Sequence, residues 1–176
     1  SDDDPREFIG SAQLIPSEGI SVISDIDDTL KVTGVKQRKL TLANTFFNPF
    51  QPIVGMEDVF RRWADEGAAF HYVSSSPWQL FGPLQELFDQ QGFPRGTFHL
   101  KAIRFRDPTL LRLFIARRLP KRRSIKAIIK AFPQRQFILV GDSGEKDPEI
   151  DGSMARKFPK QVRRIFIRNL PERPLG

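Results

Sequence analysis

The chain has 176 residues with a formal net charge of +7; 39% of them are hydrophobic, 28% are charged and 16 are Phe. This composition is typical of a globular domain with a full hydrophobic core and excludes a disordered chain. The sequence has no Cys, which excludes disulfides and thiolate metal sites, and it has no apolar run near the roughly 20 residues that span a bilayer.

Short apolar runs alternate with helical patterns along the chain, which predicts a parallel α/β sheet. The predicted strands are residues 20–24, 69–74, 97–100, 136–140 and 164–167. Because the sequence shows no repeat and no low-complexity linker, we expect one domain over residues 1–176, with its motifs within about residues 8–170. The first residue is Ser rather than Met, so we also expect a processed or trimmed chain, and the sequence leaves open whether it is a fragment of a longer protein.

Four segments between these strands carry apolar side chains at helical spacing, each followed by a Gly or a Pro. They are Met56, Val59, Phe60 and Trp63 before Gly67; Leu80, Phe81, Leu84, Leu87 and Phe88 before Gly92; Ile125, Ile128, Ile129 and Phe132 before Pro133; and Ile150, Met154 and Phe158 before Pro159. We interpret the four stripes as core-facing surfaces. The prediction is a three-layer, Rossmann-like α/β fold with helices on both faces of the sheet.

Two segments do not fit the strand and helix patterns. Residues 31–55 lack helical spacing, and their Phe46, Phe47 and Phe50 form either local core or an apolar rim that faces a substrate. Residues 101–123 contain nine basic residues and one acid, which gives +8 and favours an anionic partner. Residues 31–73 and 75–120 are too short, and too committed to the core, to hold a large cap domain.

Polar side chains follow three of the predicted strands. Asp25 follows the first, Ser74 the second, and Asp142 the fourth. Because ligands bind at the carboxyl ends of parallel strands, we expect these residues to meet at one edge of the sheet. Asp27 and Asp28 add like charge beside Asp25, so a cation is needed to neutralise the repulsion. Oxygen ligands of this kind suit Mg²⁺.

The run Asp25-Ile26-Asp27-Asp28-Thr29 resembles the DxDxT signature of haloacid-dehalogenase-type phosphatases. The supporting motif positions follow in the expected order: Ser74 after a strand, Lys121 at a helix start, and Gly141-Asp142 with Asp147 in a GDxxxxD pattern. A closer resemblance, over about residues 8–170, is to the catalytic domain of the actin-patch phosphatidate phosphatase family. The stretches that carry it are "GISVISDIDDTLKVTGV", "FHYVSSSPWQLFGPL", "GFPRGTFHLK" and "FPQRQFILVGDSGEKDPEI". One departure is Asp151-Gly152, where that family leads us to expect an aromatic residue.

The resemblance implies a haloacid-dehalogenase-like fold and a role for each motif residue. Asp25 would be the nucleophile and Asp27 the general acid–base. Mg²⁺ would be held by the Asp25 carboxylate, the Asp27 backbone carbonyl and Asp142, with Asp147 as a contact through water. The expected phosphate-binding residues are Thr29, Ser74, Ser75 and Lys121.

Several of these residues also have a purely structural interpretation. The "SSSP" run of Ser74, Ser75 and Ser76 would cap a helix before Pro77, and Asp147 would be an N-cap before Pro148. Asp28 is expected to cap or to hydrogen bond around the site.

In the structural interpretation, Lys121 would lie in a solvated basic turn and would bind no phosphate. Against that interpretation, cations at a helix start are unfavourable unless an anion binds there, and Lys121 is closer to that start than Lys126. His71 and His99 lie inside strand patterns, so we expect packed histidines rather than ligands.

The sequence therefore predicts a Mg²⁺-dependent phosphatase that forms an aspartyl-phosphate. The resemblance implies phosphatidate at a membrane surface as the substrate, with diacylglycerol and phosphate as products. The alternative is a phosphatase of a phosphoprotein, a nucleic-acid end or another soluble phosphomonoester. A nucleic-acid-binding module is disfavoured because residues 101–123 lack regular aromatic interleaving. The sequence leaves the compartment and the oligomeric state open.

Overall fold

The computed structural model describes residues 12–31, 52–102, 119–144, 146–171 and 173–175. Its strands and α-helices follow in the order β1 Gly19–Asp25, α1 Met56–Asp65, β2 Ala69–Pro77, α2 Phe81–Gln91, β3 Thr97–Lys101, α3 Leu119–Ala131, β4 Arg135–Asp142, α4 Asp147–Lys157 and β5 Val162–Arg168. A 3₁₀ turn, Trp78–Leu80, joins β2 to α2. Every predicted strand and helix is confirmed, although β2 continues past Ser74 to Pro77.

The five strands form one parallel sheet in the order β3-β2-β1-β4-β5. The chain moves outward from β1 to β3 and then returns to the other side of β1, so the winding direction reverses between β1 and β4. In the register of these two strands Ser24 pairs with Val140. The strand-end residues Asp25 and Asp142 therefore lie next to this reversal point, where open α/β sheets bind their ligands.

Successive side chains of each strand enter opposite sides of the sheet and build two core clusters. On one face, Val22, Phe70 and Tyr72 pack against Phe60 of α1 and against Leu84, Leu87 and Phe88 of α2. On the other face, Ile23, Val73, Phe137 and Leu139 pack against Ile125, Ile128 and Ile129 of α3 and against Met154 of α4. The predicted three-layer α/β architecture is confirmed, and the described residues include no cap domain.

Both histidines pack within the sheet, as the sequence predicts, with His71 buried and His99 half-buried. His71 is 1% exposed, and its Nδ1 lies 2.7 Å from Thr97 Oγ1, which is 3.0 Å from His99 Nε2. The His71 ring also contacts the ring of Phe132 in a tilted arrangement, at a centroid distance of 5.6 Å. Burial, together with the nearby His99 and Arg135, lowers the pKa of His71 to about 4.

Some expectations fall on residues outside the described ranges. Phe46, Phe47 and Phe50 lie within residues 32–51, and most of the basic segment lies within residues 103–118. Both assignments stay predictions. Among the residues that the structure describes, no helix is long and apolar enough to cross a membrane.

Candidate active site

Three buried carboxylates meet at the carboxyl edge of the sheet. Asp25 is the last residue of β1, Asp142 the last of β4, and Asp147 the first of α4. Carboxylate oxygens of the three residues lie within 4.8 Å of one another. The three side chains are almost fully buried, so water screens their repulsion poorly. Such a cluster requires positive charge among its members.

Lys121 supplies part of that charge from the first turn of α3. Its Nζ donates to Asp25 Oδ1 at 2.8 Å and also to Asp147 Oδ1. The lysine is 5% exposed, which rules out the solvated basic turn as its environment. Two of the carboxylates and this ammonium thus form one charge network. Among the described residues, these contacts set one ammonium against three carboxylates.

A short loop after β4 fixes the two carboxylates that come from this part of the chain. Asp142 Oδ1 accepts a hydrogen bond from the Gly144 amide at 2.6 Å, and Asp147 Oδ2 lies 3.3 Å from the Asp142 amide nitrogen that donates to it. A Cβ atom on Gly141 would lie 2.6 Å from Asp147 Oδ2. Only glycine therefore leaves room for Asp147 to fold back over the end of β4, which explains the Gly-Asp pair physically.

Asp147 lies one position after the N-cap, whereas its structural interpretation places it at the N-cap itself. The helix α4 begins at Asp147 itself, with Lys146 at the N-cap position and Pro148 within the first turn. The Asp147 carboxylate contacts Lys121 and the Asp142 amide. Its burial is explained by these contacts at the end of the sheet. The predicted N-cap role of Asp147 is wrong, while its position in the carboxylate cluster is established.

Asp27 lies beside this cluster, and donors contact both of its carboxylate oxygens. Lys31 Nζ is 2.6 Å from Oδ1. The hydroxyls of Ser74 and Ser76 donate to Oδ2 at 2.6 and 3.0 Å. The Ser76 amide also donates to Ser74 Oγ at 2.9 Å. The carboxylate predicted to act as general acid–base is thus held by the chain from two sides.

The serine run does not cap a helix. Ser74, Ser75 and Ser76 belong to β2, and the residue at the N-cap position of the following 3₁₀ turn is Pro77, without a side-chain cap. In an extended strand Ser74 and Ser76 share a face, which is why both reach Asp27. Ser75 is half-buried on the strand between them. The helix-cap interpretation is wrong because β2 is longer than the apolar pattern predicts.

The turn after β1 places Thr29 and Asp28 at the same site. Thr29 Oγ1 lies 3.4 Å from both Asp25 Oδ2 and Asp142 Oδ2, so its hydroxyl lies between two strand ends. Asp28 has a φ of 57°, a left-handed conformation that Asp tolerates better than most residues. Its carbonyl accepts a hydrogen bond of 2.7 Å from Arg168 at the end of β5. Asp28 thereby shapes the turn.

Sequence reasoning missed three contributors: Lys31, Ser76 and Arg168. Ser76 could have been found by continuing the strand alternation through the serine run. Arg168 follows the last predicted strand, the position that drew attention to Asp25 and Asp142. Lys31 gives no such signal, because the turn that returns it to Asp27 is formed by backbone hydrogen bonds that a side-chain pattern does not reveal.

Asp151 occupies the position where the resemblance predicts an aromatic side chain, and it is buried one helical turn after Asp147. Burial and, to a smaller extent, the nearby Asp147 carboxylate raise the pKa of Asp151 to about 7, with Lys121 opposing the shift. This acid adds to the negative charge beside the cluster as it ionises.

The donor set fits a hard divalent cation. Asp25, Asp142 and Asp147 offer only oxygen ligands, and in the described part of the chain three carboxylates lie beside one ammonium. Mg²⁺ prefers such oxygens, and its charge would offset the repulsion among them. The residues therefore suit Mg²⁺ better than a metal that requires sulfur or nitrogen.

Comparisons with known proteins match almost the whole of this chain. The family model of the phosphatidate phosphatase APP1 catalytic domain matches residues 20–169. The chain is 37% identical over 169 residues to phosphatidate phosphatase APP1 of Saccharomyces cerevisiae, covering 94% of this chain and 28% of the relative. It is 33% identical over 170 residues to an uncharacterized protein of Schizosaccharomyces pombe, covering 94% of this chain and 27% of the relative. The chain thus spans about a quarter of the length of these relatives.

Among solved structures, a phosphoserine phosphatase in its apo form aligns with a TM-score of 0.47 at 13% identity, covering 83% of this chain and 92% of that one. The family match spans most of the chain and includes each residue of the carboxylate cluster and its neighbour Lys121. This chain belongs to the phosphatidate phosphatase APP1 catalytic domain family.

Proposed function

We propose that this chain is a Mg²⁺-dependent phosphatase that hydrolyses phosphatidate to diacylglycerol and inorganic phosphate through an aspartyl-phosphate at Asp25. The observation that carries the proposal is the carboxylate cluster at the reversal point of the sheet, which includes Asp25 and is paired with Lys121. Beside it lies the Asp27 carboxylate, which is held by hydrogen bonds. Family membership supports the reaction class, and the name of the yeast relative supports the substrate.

In the first half-reaction the Asp25 carboxylate attacks the phosphorus of the bound ester. A bond forms between phosphorus and an Asp25 oxygen while the bond between phosphorus and the alcohol oxygen breaks. Asp27 gives a proton to that departing oxygen, so the alcohol leaves neutral. Lys121, 2.8 Å from Asp25 Oδ1, keeps the nucleophile oriented and offsets its charge as the anionic ester approaches.

In the second half-reaction Asp27 acts as a base. It takes a proton from a water molecule, whose oxygen forms a bond to phosphorus while the bond to Asp25 breaks. Inorganic phosphate leaves, Asp25 is a carboxylate again and Asp27 carries the proton for the next turnover. The side chains of Ser74, Thr29 and Lys121 are proposed to bind the phosphoryl oxygens during both halves, and Ser74 lies close enough to Asp27 to serve both groups. The Ser75 side chain alternates to the other face of β2, so only its backbone amide is proposed to take part.

The Asp25 and Asp142 carboxylates and the Asp27 backbone carbonyl would hold Mg²⁺, with Asp147 in contact through water. When bound, the ion supplies charge that lets a carboxylate approach a phosphate ester. Each proposed side-chain ligand is buried and fixed by protein contacts, as at Asp142 Oδ1 and Asp147 Oδ2. That these contacts hold the carboxylates in place supports the proposed cation.

A lipid substrate agrees with the chain's surface. The net charge of +7 attracts an anionic membrane. Val54, which precedes α1, is 91% exposed, and Trp78, which follows the end of β2, is 45% exposed. Exposed apolar side chains of this kind can enter the interfacial region of a bilayer. They lie on segments that adjoin Lys31 and Ser76 of the site.

Phosphate release from phosphatidate vesicles, beside soluble phosphomonoesters and phosphopeptides, tests the proposal. With Mg²⁺ we expect turnover of the vesicles to exceed turnover of the soluble esters, and EDTA to abolish both. Vesicle turnover should weaken as salt rises, because surface attraction is screened. The Asp25→Asn protein is the control for contaminating phosphatases.

Two outcomes would overturn parts of the proposal. Equal or better turnover of soluble esters would assign the site to a phosphoprotein, a nucleic-acid end or another soluble phosphomonoester. Full activity in EDTA would remove the metal from the mechanism. Trapping of ³²P on the wild-type protein, but not on Asp25→Asn, checks the covalent step separately.

A further inference from the structure

Lys31 is a buried cation whose function follows from none of the motif roles assigned above. Lys31 is 3% exposed, and its Nζ lies 2.6 Å from Asp27 Oδ1. A buried ammonium is costly to the fold unless it is paired, and this pairing is with the one carboxylate that must move protons. The contact therefore concerns the reaction as well as the fold.

The backbone gives Lys31 little freedom to lie elsewhere. The amides of Leu30 and Lys31 both donate to the Ile26 carbonyl, at 2.9 and 3.1 Å, and the Asp28 amide donates to the Lys31 carbonyl at 2.8 Å. The Ile53 amide donates to the Leu30 carbonyl at 2.9 Å, which ties this turn to the segment before α1. Lys31 thus reaches Asp27 from a closed turn.

The two oxygens of Asp27 have different neighbours. Oδ1 faces Lys31, while Oδ2 faces the hydroxyls of Ser74 and Ser76. Ser74 is one of the residues proposed to bind the phosphoryl group, so Oδ2 is the oxygen on the substrate side. If the Ser74 hydroxyl turns to a phosphoryl oxygen, Oδ2 loses one donor and can exchange a proton.

We propose that Lys31 is a positioning residue for proton transfer: it holds Asp27 Oδ1, so that Oδ2 faces the departing alcohol and then the attacking water. This inference rests on the proposed function. We assign its effect on the reaction to this contact, through the orientation of the Asp27 carboxylate. Without it the carboxylate can rotate about its side-chain bonds, and a misplaced acid is far less effective.

The test is the dependence of rate on the leaving group in Lys31→Met, a variant of similar length without the charge. The two substrates are dioctanoyl phosphatidate, whose alcohol requires a proton, and p-nitrophenyl phosphate, whose phenolate leaves without one. We expect kcat/KM to fall by about 100-fold for the alkyl ester and by less than about 5-fold for the aryl ester, with KM little changed.

Lys31→Arg serves as the conservative rescue and Lys31→Gln as a neutral donor. The Arg variant should keep the ratio of the two kcat/KM values within about 3-fold of wild type, and the Gln variant should lie between Arg and Met. If Lys31→Met does not fold, as thermal unfolding will show, the Arg and Gln pair carries the same comparison.

The outcomes separate this inference from the proposed function. A wild-type protein inactive on both esters would overturn the proposed function. With an active wild type, equal losses on the two esters, or no loss in a folded Lys31→Met, would overturn the positioning role. A loss confined to the alkyl ester and restored by Arg supports it.

Discussion

Lys121 and Arg135 are both cations buried against the same sheet, but they lie at opposite ends of its strands. Lys121, at the carboxyl edge, donates to the carboxylates of Asp25 and Asp147. Arg135, the first residue of β4, donates to the carbonyls of Pro16, Glu18 and Ile20 and to the hydroxyl of Ser21. One cation is paired with charge and the other with neutral acceptors.

The positions along the chain of the groups that bind each cation show what that cation does. Arg135 binds a single short segment, residues 16–21, and so fixes the entry of the chain into β1. Lys121 joins carboxylates from β1 and α4, which are far apart in sequence. A buried cation that binds one local segment stabilises the fold. A buried cation among carboxylates from separate elements maintains a charged site at the cost of repulsion within it.

The largest expected effect is on activity at the carboxyl edge. Asp25→Asn should lower kcat by at least about 10³-fold, because the amide cannot accept the phosphoryl group. Asp27→Asn should lower kcat for alkyl esters by about 10²–10⁴-fold, through loss of proton transfer. Steady-state kinetics with Mg²⁺ measure both.

Both variants should remain folded, since each retains a side chain of the same size. Asp58→Asn is the matched control, because Asp58 is an exposed acid of α1 paired with Arg61. It should retain wild-type kinetics. Retained turnover in either purified active-site variant would exclude the proposed mechanism.

The second effect separates the two buried cations. Lys121→Met should lower kcat/KM by about 10²-fold and should also destabilise the metal-free protein, because it leaves the carboxylates of Asp25 and Asp147 without their ammonium. Arg135→Met should reduce the free energy of unfolding by about 2–4 kcal/mol, since several buried acceptors lose their donor, with kcat unchanged.

Urea unfolding with and without Mg²⁺ sharpens this contrast. Mg²⁺ should restore much of the stability lost in Lys121→Met, because the ion binds the folded cluster and replaces the missing charge. It should leave the loss in Arg135→Met unchanged. Identical responses of the two variants to Mg²⁺ would mean that the two edges do not differ as described.

The smallest expected effect is a pH dependence that arises away from the carboxylate cluster. The pKa of His71 is lowered to about 4 in the folded protein, from an ordinary value of 6.5. The unfolded chain therefore binds the proton first, and stability falls as the pH falls from about 6.5 to about 4. Removing this histidine should reduce the loss.

In His71→Gln the free energy of unfolding should decline by about 2 kcal/mol less between pH 7 and pH 4.5 than in wild type. Urea unfolding at the two pH values measures the difference. An equal decline in both proteins would show that acid sensitivity comes from other groups.

The helices and strands could be predicted from the sequence, whereas some of the contacts between them could not. Within the described residues, apolar spacing located each strand and α-helix, because side chains that face a core must recur at the period of the element that carries them. The same spacing predicted that β2 ends at Ser74. The strand continues to Pro77 because the polar residues next to the site extend it without extending its apolar pattern. The extension to Pro77 is what brings Ser76 to Asp27.

The order of strands and polar residues along the chain predicted which residues meet at the site. Asp25 and Asp142 could be placed at one edge because parallel strands end on the same side. The structure added contacts that no linear pattern contains: Lys121 between Asp25 and Asp147, Thr29 between Asp25 and Asp142, and Lys31 on Asp27.

By itself, then, the sequence determined the elements, the layers and the edge at which chemistry is expected, because each depends on the local period of side chains and on chain direction. Only the tertiary structure decided which charges neutralise one another. Ion pairs and hydrogen bonds extend over a few ångströms in space, and β1, β4, α3 and α4 reach that range only when the sheet is assembled.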